Sequence, residues 1–213
     1  MNSKLLYDSI LSIYKTLEIT AFPIDCFDVM RKLGFKVVKY SELSNKKKYA
    51  CQKLSRDACL IKDTLFYDES TYPRRVAFSI GHELGHYFLE TDAEDEADEF
   101  ASHFLAPRIL IHKYGYRNAD KIHDHFGLSY AAANRALSDY RIWKYMNRFE
   151  SELQLQNIFF PPKEVMREEE TSKNHSELSA ETEEAIAFFD MLSSMYDDDI
   201  MCTISDNRWA MGY

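Results

Sequence analysis

His82-Glu83-Leu84-Gly85-His86 has the residue types and the spacing that hydrolysis on a metal requires. On a helix, positions four apart lie one above the other, so both imidazoles reach a single ion while Glu83 points at a water beside it. The chemistry implied is Lewis-acid activation by the ion and proton transfer by Glu83. Two histidines on one helix face can also be no more than a solvated stripe, and the flanks decide between the readings. Val76-Ala77-Phe78-Ser79-Ile80 precedes the motif in a predicted helix that starts with Ser70 or Thr71 as cap and Pro73 in the first turn, where a missing N–H does no harm. Gly85 costs roughly 1 kcal/mol of helix propensity relative to alanine. Its bare backbone is expected to let a strand or the substrate come close to the metal.

A hydrolytic zinc takes three protein ligands and keeps one position open, so a third ligand should follow. Downstream lies Glu94-Asp95-Glu96-Ala97-Asp98-Glu99-Phe100-Ala101, in which Ala97, Phe100, Ala101, Phe104 and Leu105 repeat at helical spacing as a buried face. Glu94 and Asp98 are four apart on another face. Glu94 would close the coordination, and Asp98 would accept the remaining ring N–H of a ligating histidine. Glu96 competes for the ligand role and ranks second. Asp95 and Glu99 read as a solvated face favoured by a helix N-terminus.

These residues need elements to hold them, and the chain reads as a small α+β domain. Leu5, Leu6, Ser9, Ile10, Ile13, Tyr14 and Leu17 share one face of a first helix, and Asp25 caps a second that ends at Gly34. Phe35 to Tyr40 is a predicted strand. Ala58 to Ile61 and Leu65 to Tyr67 form a predicted hairpin, giving a small, mostly antiparallel sheet that leads into the metal helix. An edge of such a sheet can pair with an extended substrate. Ser41 to Tyr49, with Lys46-Lys47-Lys48, reads as a solvated loop.

After Pro107, helices are expected at Asn118 to Phe126 and, capped by Ser129, at Tyr130 to Tyr145. Their connection resembles a helix-turn-helix, over about residues 117–146. A DNA reader needs a basic face, yet Arg135, Arg141, Lys144 and Arg148 are offset by Asp120, Asp124 and Asp139, so packing on the catalytic core is the expected role. His123 and His125 are two apart and face different ways. His103, His112, Tyr114 and Tyr116 are the candidates for polarising a substrate carbonyl. The expected domains are 1–148 for the catalytic unit, 149–179 for an acidic linker in which Pro161-Pro162 breaks the chain, and 180–213 for an amphipathic helix and tail. Fold-back of that helix is the favoured role, and an inhibitory visit of residues 207–213 to the cleft is the sharper one.

A chain of 213 residues with net charge −9 is large enough for one domain with a core and an appendage. The charge argues against non-specific nucleic-acid binding and favours a basic partner surface. Neither a signal peptide at the N-terminus nor a membrane-length apolar run is visible, so a soluble cytoplasmic protein is expected. Cys26, Cys51, Cys59 and Cys202 show no Cys-x-x-Cys spacing, which leaves them as reduced, buried thiols.

The stretch Arg75-Val76-Ala77-Phe78-Ser79-Ile80-Gly81-His82-Glu83-Leu84-Gly85-His86-Tyr87, followed by Glu94-x-x-Ala97-Asp98-x-Phe100-Ala101-x-x-Phe104-Leu105-Ala106-Pro107, resembles the ImmA/IrrE family of zinc metallopeptidases. The likeness extends upstream to Phe22-Pro23-Ile24-Asp25 and Leu33-Gly34-Phe35-Lys36-Val37. Downstream it takes in Phe126-Gly127-Leu128-Ser129 and Ala133-x-Arg135-Ala136-Leu137, covering about residues 20 to 145. Ala106 departs from the methionine many members carry there. The resemblance implies a minimal gluzincin-like fold and one zinc ion on His82, His86 and Glu94, with Glu83 as catalytic base. It also implies substrates that are repressors with helix-turn-helix domains, cut to release mobile-element or stress-response genes. The alternative from another class is a non-catalytic, metal-stabilised regulator that binds DNA or a repressor.

Overall fold

Leu6, Ile10, Ile13 and Tyr14 all turn inward from the first helix, α1 (Ser3–Thr16), and begin the core on which the rest of the domain is laid. The computed structural model describes residues 3–161. Asp25 caps α2 (Cys26–Lys32), its Oδ1 accepting from the N–H groups of Phe27 at 2.9 Å and Asp28 at 3.1 Å. Next come β1 (Lys36–Lys39), a 3-10 turn (Tyr40–Glu42), α3 (Asn45–Leu54), β2 (Ala58–Ile61) and β3 (Thr64–Tyr67). The helices α4 (Pro73–Leu89), α5 (Glu94–Leu105), α6 (Arg108–Lys113), α7 (Ala119–Phe126), α8 (Tyr130–Trp143) and α9 (Glu150–Phe159) complete the described chain.

The architecture is α+β, with a three-stranded sheet in the order β1-β3-β2. β2 and β3 form the expected hairpin, but β1 pairs with β3 in parallel, so the sheet is mixed. Two reversals account for this, one through α3 and one at the hairpin. Together they return β3 to the direction of β1. The stretch expected as a solvated loop, Ser41 to Tyr49, instead enters α3. Its lysines lie toward solvent, while Cys51 anchors the helix by packing with Tyr40 and Cys59 in a small satellite core. A single buried residue in ten leaves no stripe for a periodicity reading to find.

α4 is the central helix. It lies against α5 most extensively and also meets α1, α2 and β2. Pro73 is in its first turn, but neither Ser70 nor Thr71 caps it: the cap position is Tyr72, and Ser70 turns back to Asp68 Oδ1 through its N–H at 2.9 Å and hydroxyl at 2.6 Å. Asn118 and Ser129 do cap α7 and α8. α8 buries Ala133, Ala136, Leu137, Tyr140 and Trp143 and packs on α5 and α6, the packing role expected for the helix-turn-helix-like pair.

The acidic linker expected from residue 149 does not start there. Residues 150–159 form α9, which packs on α1. Glu152 Oε1 accepts from Trp143 Nε1 at 2.7 Å and its Oε2 from the Phe149 N–H at 3.0 Å, a polar anchor that charge counting does not reveal. The remaining linker, the 180–213 helix and the 207–213 tail lie outside the described residues. No helix among those described is long and apolar enough to cross a membrane.

Candidate metal centre

His82 and His86 stand one turn apart on α4, and α5 delivers Glu94 from its first position, where the helix N-terminus favours a carboxylate. Close approach of the two helices makes this possible. A Cβ built on Gly85 would lie 2.8 Å from Ala97 Cα and 2.9 Å from the Ala97 carbonyl oxygen, and one on Gly81 would lie 3.3 Å from Ala101 Cβ. Gly81 and Gly85 thus form a bare face into which Ala97 and Ala101 settle. The space expected beside Gly85 for a strand or substrate is occupied by α5.

His82 Nε2 is 3.0 Å from His86 Nε2 and 3.2 Å from Glu94 Oε2, and His86 Nε2 is 3.8 Å from Glu94 Oε1. The opposite ring nitrogens are both engaged: His82 Nδ1 lies 2.8 Å from Asp98 Oδ1 and His86 Nδ1 lies 2.8 Å from the Thr91 carbonyl oxygen. Those partners accept, which assigns the ring hydrogens to Nδ1 and leaves a lone pair on each Nε2. With both rings neutral, two ring lone pairs and a carboxylate then face one another, an arrangement that a bound cation relieves. Ligands about 2.1 Å from a tetrahedral metal lie about 3.4 Å apart, which these separations bracket, and His82, His86 and Glu94 form a group that could hold a metal ion. The Glu94 side chain is 82% exposed, so the site opens to solvent on that side.

Glu83 accepts a hydrogen bond from the Leu60 N–H of β2 at 3.0 Å. Burial raises its carboxyl above the ordinary carboxylate range, while the Leu60 N–H and the two imidazoles pull the other way. The cleft of about 290 Å³ in front of these groups is walled by Ala58, Phe78, Leu54 and Ser55, the last two at the end of α3. Neither α3 nor the Thr91 carbonyl was expected from the sequence. The first has too weak a stripe, and the second is a backbone atom that residue identity does not encode.

Glu96, the competing ligand, is hydrogen-bonded to Thr91, and its carboxyl is lowered mainly by that bond. It is absent from the metal-binding group. None of the four carbonyl-polarising candidates lines the cleft. His103 packs edge-on against Tyr7, His112 bonds Tyr140, and Tyr114 stacks on Tyr116 beside His125. His103 and His112 lie on helices, and Tyr114 and Tyr116 in the turn that follows α6. His123 is held by Arg74 and stacks on Tyr130.

No curated protein matches the chain. The family model described as Peptidase M78, IrrE N-terminal-like domain, matches residues 31–138, just over half the chain and every group of the metal centre. The chain therefore belongs to the IrrE N-terminal-like, or ImmA/IrrE, family of metallopeptidases.

Proposed function

We propose that the chain is a zinc-dependent endopeptidase that cuts a helix-turn-helix transcriptional repressor, derepressing mobile-element or stress-response genes. One observation carries the catalytic part: two Nε2 lone pairs and the Glu94 carboxylate converge with Glu83 beside them. His82, His86 and Glu94 would hold a zinc ion, which would supply Lewis acidity and lower the pKa of water toward about 7. The chain's own groups do the rest. Glu83 takes a proton from the attacking water on its carboxylate and delivers it to the departing nitrogen. Asp98 and the Thr91 carbonyl hold the two imidazoles in register. β2 is an outer strand of the sheet, and its Leu60 N–H already points at Glu83. An extended peptide added along that edge would therefore pass the base.

The repressor assignment rests on family membership and on charge. A chain at net −9 attracts the basic surface of a DNA-binding protein, in the cytoplasm where such a protein works. The test is incubation of the zinc-loaded protein with the repressor encoded beside it, followed by mass mapping of the products. Cleavage is expected at a discrete site, and Glu83→Gln should keep the metal and lose turnover. Cleavage by Glu83→Gln would refute the base assignment, and repressor binding without cleavage would make the protein a non-catalytic regulator.

A further inference from the structure

Asp98 has two faces. One turns to His82, and the other helps wall a second cavity of about 490 Å³ between α1, α5, α8 and α9. Set into this cavity is His103, 6% exposed, whose Nδ1 has no hydrogen-bond partner among the described residues. Buried polar nitrogens are nearly always satisfied, by protein or by a ligand or water. Asp95, Glu99 and His103 follow one another at four-residue spacing and so share a face of α5.

The charge of the lining is one-sided. Five carboxylates line the cavity against Arg135 as the one lining cation; Asp139 is held by Arg108, Glu152 by Trp143 and the Phe149 N–H, and Asp98 by His82, which leaves Asp95 and Glu99 to face a ligand. Arg135 lies 3.9 Å from Asp98, and Arg108, behind the wall, is already committed to Asp139 at 3.0 Å and to Ser102. The Glu99 carboxyl is raised by burial and then by Asp139, with Arg108 opposing. Among these acids stand the rings of Tyr7, Trp143 and Phe149, which offer an apolar bed and π faces; Arg148 covers one face of Trp143 at 4.5 Å.

We propose that this cavity binds a small organic cation, a primary ammonium or guanidinium carried on an apolar body. Asp95 and Glu99 can meet the charged end of such a molecule, and the rings its apolar body. Burial, reinforced by Arg108, keeps His103 neutral, so its Nδ1 can accept an N–H from the ligand. A bare metal ion does not suit the cavity, because the group gathered tightly enough for one among the described residues is His82, His86 and Glu94. The volume is that of a small-molecule site.

The chain has two tryptophans, so Trp209→Phe leaves Trp143 as the reporter inside the cavity wall. The full chain, treated with chelator, is titrated with 2-phenylethylammonium, with uncharged 2-phenylethanol and with the anion 3-phenylpropionate while Trp143 emission is followed. No peptide cleavage is involved, so the outcome is independent of the peptidase reading. The expected result is saturable binding of the ammonium, about tenfold or more tighter than the alcohol, with no saturation by the anion. Glu99→Gln and, separately, the exposed Asp95→Asn should each weaken the ammonium several-fold without moving the unfolding midpoint. Equal affinity for ammonium and alcohol, preference for the anion, or no saturable signal from any of the three would overturn the proposal.

Discussion

Gly85→Ala adds one methyl group where α5 leaves no room for it. The new Cβ would sit 2.8 Å from Ala97 Cα, 2.9 Å from the Ala97 carbonyl oxygen and 3.1 Å from Phe100 Cβ, whereas ordinary contacts of this kind begin at 3.4 Å. The two nearest atoms belong to the backbone, so no rotamer relieves the contact and the helices must part. Overpacking of this kind costs about 1–3 kcal/mol, and the gain in helix propensity returns roughly 1 kcal/mol, for a net loss of up to about 2 kcal/mol. The larger effect falls on the metal. Glu94 precedes Ala97 by three residues on the same helix and moves with it, and the opening from 2.8 Å to 3.4 Å is well beyond the roughly 0.2 Å over which ligand distances are tolerated. Zinc affinity should therefore fall about tenfold or more, measured by competition with a chromogenic chelator, alongside a reduced urea midpoint. Gly81→Ala is the control. Its Cβ meets the Ala101 methyl at 3.3 Å, Ala101 Cα at 3.4 Å and Leu105 Cδ1 at 3.6 Å, at or near ordinary contact, and stability should stay within about 1 kcal/mol of the parent. A Gly85→Ala protein with undiminished zinc affinity and an unshifted midpoint would refute the idea that the α4–α5 approach sets the ligand geometry.

Asp98→Ala removes the acceptor of His82 Nδ1 and should weaken zinc about 10- to 100-fold while the fold persists; unchanged affinity would show that the imidazole is oriented by other means. Glu152→Ala strips two donors, Trp143 Nε1 and the Phe149 N–H, of their shared acceptor and should cost about 2 kcal/mol or more in urea unfolding, whereas a neutral result would mean that α9 is not anchored through this carboxylate. Burial, then Arg108, holds the His103 pKa well below 6.5, so the unfolded chain takes up this proton first: the stability it contributes is present above about pH 6.5 and is lost as pH falls, at up to about 1.4 kcal/mol per pH unit. His103→Gln should flatten that part of the profile between about pH 7 and pH 5, and an equally steep variant would rule out a buried neutral ring.

What could be read from residue types was the part of the site whose chemistry depends on residue type. Histidine at i and i+4 specifies its own geometry once a helix is granted, and Asp25, Asn118 and Ser129 cap their helices because a short acceptor side chain meets the first free N–H groups there. Backbone acceptors leave no such mark: no identity at position 91 announces that its carbonyl will hold His86. The β1–β3 pairing was equally hidden, because β2 lies between them in sequence and the parallel register emerges only after two reversals.

Glu94, ranked first from the sequence, and Glu96, ranked second, show how packing separates two candidates. As residues on one acidic run they are equivalent donors, about 200° apart around the helix by the 100° per residue of helical geometry. Which of them faces the histidines depends on the rotation of α5, and that rotation is set where Ala97 meets bare Gly85. With Ala97 seated there, Glu94 reaches the two Nε2 atoms and Glu96 is left to bond Thr91. The glycine inside the motif therefore fixes, through packing, which carboxylate stands beside the two histidines. That makes it as much a determinant of the centre as either histidine.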